Sequence, residues 1–168
     1  MLFQRELTFY HPTQNKTGAA MSINYFGGSV WFKFARQSDE KRFDWKNKVM
    51  VKIGIGDITQ LLEFIEGSRP QLKLFHRSIK GDTILNADKS TKVASGYVLS
   101  LTRKPKEGEE TKVFMGLSRG EMLLLREALI RGTLLSLNWS NDNIDDRRPH
   151  VEESEKEEET SEVVQPAF

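Results

Sequence analysis

The sequence offers three histidines, His11, His76 and His150, none near another, and no cysteine. That excludes disulfides, thiolate metal sites and cysteine nucleophiles, and it argues against a histidine-rich metal centre. No histidine sits in a recognisable triad motif. Asp44 is the best isolated carboxylate for a metal ion, with no second ligand in view. Asp57 and Glu63 lie six residues apart, outside the spacing that brings helix side chains together. What recurs instead is aromatic residues interleaved with cations. Trp31 and Lys33 alternate on one run, Phe43-Asp44-Trp45-Lys46-Asn47-Lys48 forms a second, and Lys73, Phe75 and Arg77 share a face of a third. Bases stack on rings for roughly 1–3 kcal/mol each while Lys and Arg neutralise phosphates, so the pattern suits single-stranded nucleic acid. The alternative for Trp31, Trp45 and Phe75 is a covering role at core edges or a subunit interface.

These residues must be held by strands. LTFYH (7–11), TGAAMSINYF (17–26), SVWFKFAR (29–36) and KVMVKIGI (48–55) alternate in period two, and Gly27-Gly28 marks a tight hairpin. In the third run Val30, Phe32 and Phe34 share one face, with Trp31, Lys33 and Ala35 on the other. Asp57 with Gln60 reads as a capping box opening DITQLLEFIEG, with Gly67 as its stop. The string GIGD before it lacks the third glycine and βαβ setting of a phosphate loop. Four more strands follow: QLKLFHRS, TILNAD, ASGYVLSLTR and TKVFMGL. Ser118 and Glu121 then cap a long helix reaching about Leu137. The expected architecture is α+β: two four-stranded antiparallel sheets, each followed by a helix. The last helix carries more apolar residues than one face needs, which predicts a second partner, most simply the same helix of another subunit.

Length predicts one domain with an appendage. No apolar run is long enough to span a membrane, and MLFQRELTFY does not read as a leader, so a cytoplasmic protein of a bacterial or phage-infected cell is expected. The net charge of +1 hides two regions. Residues 1–139 hold 22 Lys+Arg against 14 Asp+Glu, a balance of +8; residues 140–168 hold 3 against 10, a balance of −7. A basic body with an acidic appendage predicts a polyanion-binding domain, 1–139, and a disordered interaction tail, 140–168. Its apolar tip, with Pro166, Ala167 and Phe168, is predicted to dock in a partner's pocket.

The order of motifs resembles the Whirly family of single-stranded DNA-binding proteins over about residues 7–139. FYHPTQNKTGAAMSI is similar to that family's opening strand and Lys-Gly-Lys-Ala-Ala-Leu signature, with Lys16 on the first lysine and Gly18 replacing the second. RFDWKNK resembles its Tyr-Asp-Trp segment through Phe43, Asp44 and Trp45. LKLFHR resembles its Phe-Phe-His strand through Leu74, Phe75 and His76, and the terminal helix ends at Trp139. The resemblance implies two sheets packed like propeller blades, helices forming a tetramer core, and single strands bound with little sequence preference. Gly18 puts in doubt the missing lysine's contacts. The tail is similar to those of bacterial and phage single-stranded DNA-binding proteins, where it recruits replication and repair enzymes.

The reading is a non-catalytic, tetrameric protein that coats single-stranded DNA in replication, recombination or repair, without cofactor or metal. Lys16, Lys33, Lys46, Lys48 and Arg77 contact phosphate, Trp31, Trp45 and Phe75 stack on bases, and His76 reaches a base edge. The alternatives are an RNA-binding or annealing protein on the same scaffold, a duplex-promoter factor, which lacks a basic recognition helix, and a metal-dependent nuclease.

Overall fold

The computed structural model describes residues 6–90 and 96–138. Trp139, the acidic segment 140–168 and its tip Pro166, Ala167 and Phe168 lie outside the described residues. Strands β1 (Glu6–His11), β2 (Ala19–Phe26) and β3 (Ser29–Asp39) form an antiparallel meander, and β5 (Val49–Ile53) pairs with the other side of β3. The expected four strands gain a fifth, the two-residue β4 (Arg42–Phe43), which pairs with the far end of β3 across a register shift. Gly27 and Gly28 take φ of 57° and 75° between β2 and β3, the left-handed conformation that a tight hairpin of right-twisted strands demands.

Helix α1 (Ile55–Glu66) follows, then the meander β6 (Gln71–Ser78), β7 (Gly81–Lys89), β8 (Tyr97–Pro105) and β9 (Thr111–Leu117), then helix α2 (Arg119–Ser136). Helix α1 starts three residues before the expected position. Gly54 is its N-cap, and Asp57 stands at the third helical position, where its carboxylate accepts the Gly54 N–H at 3.0 Å. The Ser118–Glu121 box of α2 forms as expected: Ser118 Oγ accepts the Glu121 N–H at 3.2 Å, and Glu121 Oε2 accepts the Ser118 N–H at 2.8 Å.

Period-two alternation builds the core. Phe9, Met21, Phe34 and Val49 stand in one cross-strand row, and Leu7, Ile23, Phe32 and Val51 in the next. Leu74, Leu85, Leu101 and Val113 form the matching row of the second sheet. Strands β2, β3 and β5 meet β8 and β9, α2 lies on β1, β2 and β3, and α1 lies on β6 and α2. Helix α2 buries Met122, Leu125, Leu129 and Gly132. A side chain at Gly132 would put its Cβ 2.5 Å from Val30 Cγ2, so the missing side chain sets how closely helix meets sheet. The helix is anchored at both ends: Arg119 donates to the Ile65 carbonyl at 2.7 Å, and Tyr25 Oη donates to the Leu135 carbonyl at 3.2 Å.

One side of α2 remains uncovered. Leu123 and Leu124 are 46% and 54% exposed, and Ile130, Leu134, Leu135 and Leu137 are only half-buried. The excess of apolar residues read from the sequence is thus an apolar face that the described residues leave uncovered.

Candidate nucleic-acid interface

Alternation that buries Phe9, Met21 and Phe34 turns their neighbours outward. The outer face of the first sheet carries three rows. Glu6, Asn24, Trp31 and Lys52 form one, Thr8, Ser22, Lys33 and Met50 the next, and Tyr10, Ala20 and Ala35 the third. Trp31 and Lys33, chosen from the sequence, therefore do share this face. Strand β2 and the far end of β3 offer small side chains, and Ala20, Ser22 and Ala35 lie at 1% exposure or less beneath their larger neighbours. Over the alanine row, Tyr10 reaches Phe43 of β4, ring centroids 5.5 Å apart and tilted by 50°. Ser22 Oγ donates to Glu6, and the buried Asn24 Oδ1 has no hydrogen-bond partner among the described residues.

Lys16, Trp45, Lys46 and Lys48 gather on loops at the Tyr10–Phe43 end of this sheet. Lys16 sits exposed in a turn with φ 57° and donates to Asp39 at 2.8 Å. That hydrogen bond, more than any other contact, holds the Asp39 carboxyl below its ordinary range. Gln37 fixes the turn, its Oε1 accepting from Thr13 N and Gly18 N at 2.9 and 3.0 Å and its Nε2 donating to the Thr13, Asp39 and Glu40 carbonyls. Position 18 admits no side chain: a Cβ would lie 2.1 Å from the His11 carbonyl oxygen and 2.6 Å from Gln37 Oε1. The departure from the resembled signature thus has a steric cause in this chain.

Residues 45–47 form a single 3-10 turn. Trp45 and Lys48 are half-buried and Lys46 is exposed, with Lys48 Nζ donating to the Trp45 carbonyl at 3.2 Å. Asp44, the isolated carboxylate, caps the turn by accepting from Asn47 N and Nδ2 at 3.2 and 2.8 Å. The Asn47 side chain is the main reason its carboxyl titrates below the ordinary range.

The second sheet repeats the plan. Its outer face has Lys73, Asn86, Ser100 and Phe114 in one row, Phe75, Ile84, Thr102 and Lys112 in the next, and Arg77, Asp82 and Lys104 beyond. Phe75 and Phe114 are 50% and 62% exposed, at opposite edges, above the buried Ser100 and Thr102. The Arg77 guanidinium lies over the Phe75 ring, 5.5 Å from its centroid, a cation–π contact, and its Nε stands 3.4 Å from Asp82. His76 stands on the other side of β6. Its Phe75 neighbour faces out, so His76 faces in, with Nε2 3.2 Å from Asp57 Oδ2 at the start of α1. It takes no place on the outer face.

Sequence reasoning passed over Tyr10 and Phe114. Both are large rings alone on the polar side of an alternating strand, so the rule that selected Trp31 would have found them. The Phe43–Tyr10 contact had no local signal, because it joins strands on either side of β2 and β3. Among the described residues no group of three or more His, Cys, Asp or Glu side chains is placed to hold a metal ion.

No protein-family model and no curated protein sequence matches the chain. Solved structures do. WHY1 of Arabidopsis thaliana superposes with a TM-score of 0.70 at 16% identity, over 83% of this chain and 88% of that one. The plant transcriptional regulator PBF-2 gives 0.70 at 16%, over 89% and 90%. A guide-RNA-binding protein complex bound to its guide RNA gives 0.61 at 16%, over 84% and 96%. The fold is Whirly-like, as the motif order implied.

Proposed function

We propose that this chain is a non-catalytic single-stranded nucleic-acid-binding protein that takes single-stranded DNA with little sequence preference. One observation carries the reading. Both sheets turn outward a floor of small or polar side chains set among rings and cations, exposed Tyr10 with half-buried Phe43, Trp31 and Lys33 on one, exposed Phe75, Phe114, Lys73 and Arg77 on the other. Such a floor lets a base lie flat against a ring while its phosphate meets a cation. Lys16, Lys46 and Lys48 extend the cationic margin, Lys16 by exchanging Asp39 for phosphate. A nuclease is disfavoured because Asp44, Asp57 and Glu121 are engaged as turn and helix caps. RNA is the second reading, favoured by the likeness to the guide-RNA-binding complex bound to a guide RNA; the 2′-hydroxyl is what would separate the two.

In the same reading, the uncovered face of α2 joins copies of the chain into a tetramer, and sedimentation of the full chain as a monomer would count against this. The acidic residues 140–168 compete with DNA for the cationic faces, and Phe168 recruits replication or repair enzymes. The direct test is tryptophan fluorescence. Titration with oligo-dT is expected to quench the wild type, and Trp31→Phe to lose a large part of that quenching. Quenching unchanged in Trp31→Phe would remove the first sheet's face from the interface.

A further inference from the structure

Ile79 is 87% exposed, more than any other large apolar side chain described. It stands at the tip of the β6–β7 hairpin, and the tip is tightly held. Ser78 Oγ donates to the Gly81 carbonyl at 2.9 Å and accepts the Lys80 N–H at 3.2 Å. Lys106 N donates to the Lys80 carbonyl at 3.3 Å, tying the tip to the β8–β9 loop. At Gly81 a Cβ would fall 2.3 Å from the Lys104 carbonyl oxygen, so the hairpin is pressed against the end of β8. The isoleucine is therefore presented on a braced support.

Its surroundings are rich in cations, with one exposed ring. Lys73, Phe75 and Arg77 point to the outer face of β6, and Ile79 follows two residues after Arg77. Lys80, Lys104 and Lys106 are exposed beside it. Asp82 and Glu110 share that end of the sheet, paired with Arg77 at 3.4 Å and Lys104 at 3.2 Å. Isoleucine is one of the side chains that unstack base steps when inserted between them, given flanking cations that hold the backbone.

We propose that Ile79 is a wedge that parts the first base pair where a single strand, held on the outer face of the second sheet, runs into duplex. The inference rests on the nucleic-acid reading above. The opened strand passes onto Phe75 and Phe114, so strand capture drives opening and no nucleotide hydrolysis is needed.

The test is a forked duplex with 2-aminopurine at the first paired position, titrated with the full chain. Wild type is expected to raise its fluorescence. Ile79→Ser is expected to lose most of the rise while binding oligo-dT within about twofold of wild type; Ile79→Leu should retain the rise. A change at this exposed position leaves the core untouched, so loss through unfolding is not expected. Equal opening by Ile79→Ser, or a change in its self-association instead, would overturn the wedge while leaving strand binding in place. Failure of wild type to bind oligo-dT would overturn both.

Discussion

Consider Phe75→Ala in the light of what the ring touches. Half of the ring faces solvent, and its contacts are the Arg77 guanidinium at 5.5 Å and the neighbouring row of the sheet. Full burial of a phenylalanine contributes about 1.5–3 kcal/mol, so a half-buried ring contributes about 1 kcal/mol to folding. An exposed cation–π contact adds about 0.5–1 kcal/mol. The variant should therefore fold, with its urea midpoint modestly lowered. Binding should suffer more, because a base stacked on a ring gains roughly 1–3 kcal/mol, or about 5- to 150-fold in affinity. The salt dependence separates stacking from charge. Phe75→Ala removes no phosphate contact and should leave the log–log salt slope unchanged, whereas Arg77→Ala should lower its magnitude by about 0.7. Anisotropy of labelled oligo-dT over a salt series reads both quantities. A folded Phe75→Ala that binds as wild type, or that changes the slope as Arg77→Ala does, would refute the stacking argument.

Three further outcomes follow from the geometry. Gly18→Ala should lower stability by about 1–3 kcal/mol in urea unfolding, as overpacking does, because its Cβ would crowd the His11 carbonyl and Gln37; an unchanged midpoint would show that the turn has room. Deleting residues 140–168 should tighten DNA binding at low salt and matter little at high salt, since the competition is electrostatic; unchanged affinity would dismiss the competing role. Partial burial pushes the Glu121 carboxyl up, but the Ser118 N–H and His11, bonded at 2.5 Å, outweigh it and hold it below its ordinary range. A depressed carboxylate stabilises the fold above the ordinary glutamate range and loses that contribution as pH falls through its folded value. Glu121→Gln should flatten that acid-side segment of the pH–stability curve, and an unaltered segment would contradict the assignment.

Local rules reached far into this fold, because its sheets are meanders whose alternation is set strand by strand. Val30, Phe32 and Phe34 against Trp31 and Lys33 could be read directly, and so could Lys73, Phe75 and Arg77. Ser118 with Glu121 announced α2. The same rules failed where a second solution competed. Asp57 suits an N-cap, yet serves as well at the third helical position, and the Gly54 N–H it accepts decides between them. His76, beside Phe75 in the motif, stands on the opposite face because adjacent strand residues point opposite ways. The Tyr10–Phe43 contact and the Gln37 brace depend on pairing across β3, including the register shift at β4, which nothing local specifies. That α2 would present an uncovered apolar face was visible in composition; which leucines would lie on it depended on the packing of Gly132 against Val30.

Competition tests single-strand binding most directly. Labelled oligo-dT of about 30 nucleotides would be bound to the full chain across a salt series and challenged with duplex DNA and RNA of equal length, expecting a log–log slope of about −0.7 per phosphate contacted. Binding to the single strand should be tight and competition by duplex weak. Equal competition by RNA would move the ligand to the second reading. Absence of binding at low salt, with residues 140–168 present or removed, would contradict the central claim and leave the aromatic faces a structural role.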